Sequence, residues 1–430
     1  MHRQLKNLLT QSNVNSGWMV AEKLLGITIN IAVFAVLARH LGPHLFGLFA
    51  LIQAIFTIGL PVAMVVSEEI ILKFQVGQKH DIHSLKKAAL QLKLLSSICV
   101  YLITVSLTYL FFDIDVLYLT AAFCLLHLVN FELIYIAFFR GIERSDLVFW
   151  IKARVLIPFG IMKVCAAVFY PELTVITGLF VIEAAILSLI SWKLFKMHYS
   201  TKFDNHGSMV PTELRQLLKA SWPVFTATLL ITLYTRIDQF MIEHYLTRDQ
   251  LGLYSAANRL SQASQHIFIA ILLSRFPRLL KLKNESNQLY ENALINTMRA
   301  CLLPWVAIVA FLFFFANTII GVIYGSEYIE AKTTLVLLLS ATIFVYYGVI
   351  CTQWIITENL QVYRLYRVCA ALVLNIILNI VLIPKYGIEG AAFSTIISQA
   401  CSSIFFNAAH PKTRPIFQLQ VRTLWPFNRS

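Results

Sequence analysis

SWPVFTATLLITLYTRIDQFMIEHYLTRDQLGLYSAANRL, from Ser221 to Leu260, holds two apolar runs around the polar turn Thr247-Arg248-Asp249-Gln250. Each flank is long enough to cross a bilayer, which takes about 20 helical residues at a rise of about 1.5 Å. The stretch therefore predicts a transmembrane helical hairpin, and it carries Arg236, Asp238 and Arg259 inside its spans. A charge at a helix centre costs roughly 2.5–3.5 kcal/mol on insertion scales unless it meets a partner or a wet cavity. Asp238 lies about ten residues before the turn and Arg259 about ten after it, so both reach the bilayer midplane at roughly 15 Å depth. That register predicts an Asp238–Arg259 pair. Arg236 lies about 200° around the helix from Asp238 and is left to meet something anionic.

The composition fits the same class. Of 430 residues, 58% are hydrophobic and only 13% charged, against about 25% charged in soluble domains. The formal charge of +13 does not mark a nucleic-acid partner, because the basic residues cluster between apolar runs. The seven cysteines form no CxxC pair and read as small apolar packing. No cleavable leader is expected, since the first apolar run carries Glu22 and Lys23 and many spans follow it.

Twelve spans fit, near 17–38, 45–70, 94–112, 116–139, 151–170, 174–192, 221–246, 251–273, 300–323, 333–356, 367–383 and 390–409. Most of the 35 Lys and Arg residues then fall on one side if the N-terminus is cytoplasmic, and the outer loops hold only Arg39, Arg248, Lys332 and Lys385. The positive-inside bias places both termini in the cytoplasm. The expected organisation is an N-terminal six-helix bundle over 1–192, a cytoplasmic connector over 193–220, a C-terminal six-helix bundle over 221–410 and a cytoplasmic tail over 411–430. A faint echo relates the halves: Leu41-x5-Gly47-Leu48-Phe49-Ala50 matches Leu246-x5-Gly252-Leu253-Tyr254-Ser255 at an offset of 205. Internal repeats of this kind are how many transporters are built.

Three motifs carry a resemblance. They are Arg39-His40-Leu41-Gly42-Pro43-x2-Phe46-Gly47 with Gly59-Leu60-Pro61; Asp238-Gln239-x-Met241-Ile242 leading to Leu251-Gly252-x-Tyr254-Ser255-x-Ala257-x2-Leu260; and Asn375-x3-Asn379-x3-Ile383-Pro384-x-Tyr386-Gly387-x2-Gly390-Ala391-Ala392. In this order and spacing the chain resembles the Wzx-type O-antigen and polysaccharide flippases. These form a branch of the multidrug/oligosaccharidyl-lipid/polysaccharide exporter superfamily. The resemblance implies an all-α, MATE-like membrane fold of two six-helix bundles. It also implies translocation of undecaprenyl-diphosphate-linked oligosaccharide, such as an O-antigen unit for lipopolysaccharide, from the inner to the outer leaflet of a bacterial cytoplasmic membrane. Alternating access, H+ or Na+ coupling, contact with membrane lipids, and a polysaccharide polymerase and chain-length regulator as partners belong to the same expectation. No cofactor, metal, nucleic acid or enzymatic reaction is expected.

A diphosphate carrying sugars needs a hydrated, positive path through hydrocarbon. Arginine supplies a fork of donors matched to phosphate oxygens. Arg236 is the first candidate for that contact, Arg259 the second and Lys163 the third. Lys163 is also level with Glu183 across the Pro171-Glu172 turn, so the two can pair. Asp238, Glu132 and Glu183 are the candidate ion-coupling carboxylates, Glu132 because its own helix offers it no partner. Glu22, Lys23, Glu68 and Glu69 sit near the inner ends of their spans and read as surface charges. His40-x3-His44 and His80-x2-His83 have ligand-like spacing but no further Cys or His neighbours, and read as loop residues. A multidrug or cation exporter would call for an acidic, aromatic cavity. An O-antigen polymerase or ligase would call for a large outer loop, and the outer loops here are short.

Overall fold

The computed structural model describes the backbone of residues 2–76, 82–199, 211–358 and 360–424. His80 and residues 200–210 of the expected connector lie outside the described residues, as do residues 425–430 of the expected tail. Helices dominate, and no strand occurs among the described residues. In chain order they are α1 (His2–Ala63), α2 (Glu68–Val76), α3 (Ile82–Phe111), α4 (Ile114–Val129), α5 (Glu132–Gly141), α6 (Ser145–Phe169), α7 (Leu173–Tyr199), α8 (Pro211–Tyr245), α9 (Arg248–Glu285), α10 (Asn287–Ile323), α11 (Lys332–Thr357), α12 (Gln361–Ala400), α13 (Phe406–Ala409) and α14 (Arg414–Leu424).

Eight helical stretches among the described residues are long and apolar enough to cross a membrane. The chain is a multi-pass membrane protein. Two of the eight stretches each contain a sharp kink and hold two of the expected spans. Gly42 breaks α1 at φ 70°, and Gly387 breaks α12 at φ 59°, a region that glycine enters without the Cβ penalty other residues meet. The expected spans at 151–170 and 251–273 correspond to α6 and the first part of α9. Both have spanning length, but α6 carries Lys152, Arg154 and Lys163, and α9 carries Asn258 and Arg259 among many polar residues.

Two expected spans are interrupted. The one at 45–70 leaves helical geometry over Met64–Ser67, between α1 and α2. The one at 116–139 breaks at Asn130 and Phe131, between α4 and α5. Backbone freed inside a membrane must find partners, and in both places a serine from a neighbouring helix supplies one. Ser96 of α3 donates to the Ala63 carbonyl at 2.9 Å. Ser188 of α7 donates to Val129 O at 2.7 Å and accepts from Phe131 N at 2.9 Å and Glu132 N at 3.2 Å. Sequence periodicity could not show these breaks, because the residues on either side remain apolar.

The chain forms two compact units, one of residues 1–41 and 52–232, the other of residues 42–51 and 233–430. The first is cored by Ile71, Ala89, Phe138, Phe139 and Phe195 around the short helices α2 and α5. The second is cored by Leu294, Met298, Tyr346, Cys351 and Ile355, with Ile416 and Leu419 of α14 packed among them. The expected tail thus contributes an ordered amphipathic helix, tied down by the Tyr347 and Thr423 hydroxyls 2.8 Å apart. Residues 42–51, placed by sequence in the N-terminal bundle, pack in the second unit. There the two arms of the internal echo meet. A Cβ on Gly47 would overlap the Arg248 carbonyl, and one on Gly252 would overlap the Pro43 carbonyl. Each contact is the other displaced by the 205-residue offset. His44 Nδ1 and Asp249 Oδ2, 3.2 Å apart, are offset mates of each other.

Because backbone flanks both glycines, Gly47→Ala and Gly252→Ala should each lower stability by about 1–3 kcal/mol. Gly178→Ala, where nothing lies within 4 Å of an added Cβ, should leave it unchanged or slightly raised. Thermal unfolding of detergent-solubilised protein measures all three. An unshifted Gly252→Ala midpoint would mean that the arms do not pack this closely.

Candidate functional site

The hairpin turn runs from α8 to α9, with the Thr247 side chain capping α9 by accepting from Gln250 N. Nine residues before that cap, Asp238 is 5% exposed. Its carboxylate accepts from Tyr254 OH at 2.8 Å, Asn379 Nδ2 at 2.7 Å and Thr395 Oγ1 at 2.8 Å. Asn379 also donates to Asn375 Oδ1 at 3.1 Å, and Asn375 donates to Ser398 Oγ at 3.4 Å. Gln239 reaches Ser255 at 3.3 Å across the same hairpin.

The expected Asp238–Arg259 pair is therefore corrected: three neutral donors hold the carboxylate. The reason is angular. Tyr254 and Arg259 are five residues apart on α9, about 140° around the helix, and only Tyr254 shares the face toward Asp238. Equal depth does not by itself bring two side chains onto facing sides of a hairpin. Asn375 and Asn379, one helical turn apart on α12, are motif residues to which the sequence alone assigns no role. Their i,i+4 spacing in an apolar span was the signal that could have found the cluster.

Arg236 and Arg259 occupy the other side of the hairpin helices. Both are half-buried, and they lie close enough for their charges to interact. The Arg259 guanidinium sits 5.5 Å from the centroid of the Phe46 ring, a cation–π arrangement, and near the Tyr324 hydroxyl. Arg236 Nε is buried and has no hydrogen-bond partner, and Tyr254 is the other group of the hairpin near its charge. No carboxylate is within ion-pair distance of Arg236 among the described residues.

In the first unit, several charges inside the spans are paired. Lys163 of α6 and Glu183 of α7 form an ion pair, and Lys163 Nζ also lies 3.5 Å over the Phe180 ring. Glu22 is only 5% exposed, which overturns its reading as a surface charge. It accepts from Arg140 at 2.6 Å and Lys152 at 2.7 Å, while Arg140 also donates to Glu68 Oε2 at 2.6 Å. Helices α1, α2, α5 and α6 converge there, a meeting that spacing within one helix cannot show. Glu132 opens α5 at the broken helix, is 8% exposed, and its Oε2 has no hydrogen-bond partner. Lys93 and His127 were not singled out in the sequence. Lys93 Nζ donates to the His127 carbonyl at 3.1 Å, and the His127 ring stacks on Phe56 at 4.4 Å.

The profile of the family described as "Polysaccharide biosynthesis protein" matches residues 14–283, more than half of the chain. The chain belongs to that family. It is 26% identical over 226 residues to a Haloferax volcanii protein named "Probable low-salt glycan biosynthesis flippase Agl15", covering 51% of this chain and 46% of that protein. It is 24% identical over 217 residues to a Shigella dysenteriae protein named as a candidate O-antigen transporter, covering 49% and 54%. The chain spans about half the length of the curated relatives it matches. Among solved structures, the fold is that of lipid II flippase MurJ in an inward closed conformation. That match has a TM-score of 0.68 at 15% identity, covering 96% of this chain and 93% of the other. An inward-facing multidrug resistance MATE transporter of the MOP superfamily has the same fold, with a TM-score of 0.62 at 13% identity over 92% and 94%. The architecture is thus MATE-like, as the motifs implied.

Two measurements check the site's wiring. Asn379→Asp should destabilise the protein by about 1.5–3 kcal/mol, because a second carboxylate replaces a donor to Asp238. The swap Asp238→Asn/Asn379→Asp should recover most of that loss, and a swap no more stable than the single variant would break the assignment. Lys163→Met should cost about 3–5 kcal/mol by stranding Glu183, whereas Lys163→Met/Glu183→Leu should lie close to wild type. Thermal unfolding in one detergent reads both series.

Proposed function

We propose that the chain is a flippase for a polyprenyl-diphosphate-linked oligosaccharide, undecaprenyl diphosphate in a bacterial cytoplasmic membrane. It carries the repeat unit of O-antigen or another surface polysaccharide from the inner to the outer leaflet. The observation that carries this reading is Arg236, a cation inside a membrane-spanning hairpin with its Nε unpartnered and a second guanidinium, Arg259, close by. Two neighbouring cations in hydrocarbon are costly unless an anion joins them, and guanidinium forks match diphosphate oxygens. Membership of a polysaccharide biosynthesis family and the names of the two relatives support a glycan as the cargo's other end.

On this reading Arg236 makes the first diphosphate contact and Arg259 the second. Lys163 is occupied by Glu183 and contributes to the structure of its own unit. The helices work as two bundles that alternate access, with both termini in the cytoplasm as the loop charges assign them. Ion coupling, by H+ or Na+, falls to Glu132, whose Oε2 has no hydrogen-bond partner; Asp238 is engaged by three donors. Movement of cargo and not bond chemistry is the output.

The test is translocation of a fluorescent polyprenyl-diphosphate oligosaccharide in proteoliposomes. Arg236→Ala, at equal insertion, should slow transport on the order of tenfold to a hundredfold, the loss of one charge-assisted hydrogen-bonded contact. Arg236→Lys should fall between the variant and wild type, because a point charge replaces a bidentate fork. Wild-type transport by Arg236→Ala would remove Arg236 from the site and the diphosphate contact with it.

A further inference from the structure

A groove of about 790 Å³ lies within the first unit, and none of the residues placed above in cargo contact lines it. One wall is a stripe along α3: His83, Lys86 and Lys87, then Leu90, Gln91 and Leu94. Trp192, Leu189, Ser188 and Ala185 of α7 also line it, as do Val129 and Phe131 at the break between α4 and α5. The volume is within the range of small-molecule sites, about 300–1,000 Å³.

The lining is graded. From His83 to Leu94 is about 16 Å along the helix, and the charge is confined to the first third of that length. Two lysines and a histidine line that end, and among the described residues no Asp or Glu is in the lining. The other end is aliphatic, with Leu94 45% and Leu189 56% exposed on its rim. Trp192, 46% exposed, stands at the cationic end, where an amphipathic ring suits the headgroup layer. Helix α3 has 30 residues, about 45 Å at 1.5 Å each, against a hydrocarbon core of about 30 Å. Its first two turns therefore sit at headgroup depth and Leu94 sits among the chains. Gln91 Oε1, between the two zones, is buried without a hydrogen-bond partner, and Gln91 lines the groove. Lys86 Nζ also lies 5.0 Å from the Phe195 ring centroid, which anchors its stem against the unit's core.

We propose that this groove is a binding site for one anionic glycerophospholipid. Its phosphate lies against His83, Lys86 and Lys87, and an acyl chain runs along Leu90, Leu94 and Leu189 over the gap between α4 and α5. Charge complementarity selects the headgroup, since a basic pocket at the membrane surface gains about 1 kcal/mol per lysine from anionic lipid. The aliphatic half excludes a free phosphate as sufficient occupant. A lipid there would cover the Ser188 side of the interrupted helix, the place where backbone at membrane depth depends on neighbouring groups.

The experiment uses the full chain in nanodiscs of phosphatidylcholine, titrated with brominated phosphatidylglycerol or brominated phosphatidylcholine. The readout is the quenching lost on Trp192→Phe, which isolates this residue from the other tryptophans. Wild type should show half-maximal quenching at a several-fold lower mole fraction of phosphatidylglycerol than of phosphatidylcholine. Lys87→Gln, at an exposed position, should weaken phosphatidylglycerol about fivefold, and Lys86→Gln/Lys87→Gln on the order of tenfold or more. Equal quenching by the two lipids in wild type would overturn the site. So would an unchanged preference in Lys87→Gln, which keeps the test valid if the double variant does not fold. Displacement of phosphatidylglycerol by one equivalent of polyprenyl diphosphate would also overturn it, assigning the groove to cargo. No outcome depends on transport, so failure here leaves the Arg236 reading standing, and the reverse holds as well.

Discussion

A carboxylate buried in hydrocarbon must be satisfied by its neighbours, and the second unit is arranged around that requirement at Asp238. Three donors reach it from two other helices: Tyr254 from α9, and Asn379 and Thr395 from the two arms of α12 on either side of the Gly387 kink. Removing any one leaves a polar group facing apolar surroundings, which costs more than the bond contributed. The carboxylate therefore fixes the register of α8 against α9 and sets both arms of α12 relative to the hairpin. Asn375 and Ser398 extend the same network by one turn along each arm. The kink at Gly387 is needed for this, because one straight helix could not present Asn379 and Thr395 to a single oxygen pair.

The same physics acts in the first unit through broken helices. Two spans lose their helical hydrogen bonds partway, and serines from α3 and α7 take up the freed groups. The short pieces beyond the breaks, α2 and α5, then pack against each other, with Gln75 donating to the Phe138 carbonyl at 3.2 Å. Glu68 on α2 and Arg140 on α5 tie the same two helices together. Interruptions of this kind persist only where surrounding side chains over-determine them, and here a four-charge cluster around the buried Glu22 does so.

How much of this could be read from the sequence divides along one line. Features carried by a single helix or a single turn were legible: the hairpin, the all-helical membrane class and the level of Lys163 with Glu183. The echo at 205 was legible as a pattern, though not as a contact. Only the structure shows that Pro43, Gly47, Arg248 and Gly252 touch, each pair repeating the other. What failed was matching by depth without angle, which gave Asp238 to Arg259 when Tyr254 held the facing position. Also out of reach were groups assembled from three or more helices, such as Glu22 with Arg140 and Lys152, where each residue alone looks like a helix-end charge. The helix breaks left no trace, since their cost is met by Ser96 and Ser188, serines unremarkable in their own spans.

These satisfactions decide where charge remains. In the first unit Lys163 meets Glu183, and Glu22 and Glu68 meet Arg140 and Lys152, each cation spent on a carboxylate. In the second, the buried carboxylate nearest the two arginines is held by a phenol, an amide and a hydroxyl, so it takes no guanidinium for its own neutralisation. Had Arg259 filled that role, it would turn toward Asp238 and away from Arg236, whose charge it now neighbours. Neutral donors around Asp238 and uncommitted charge on Arg236 are thus one arrangement seen from opposite faces of α8, about 200° apart over two residues. An anion recruited to that face meets arginine unshared with the carboxylate two residues along.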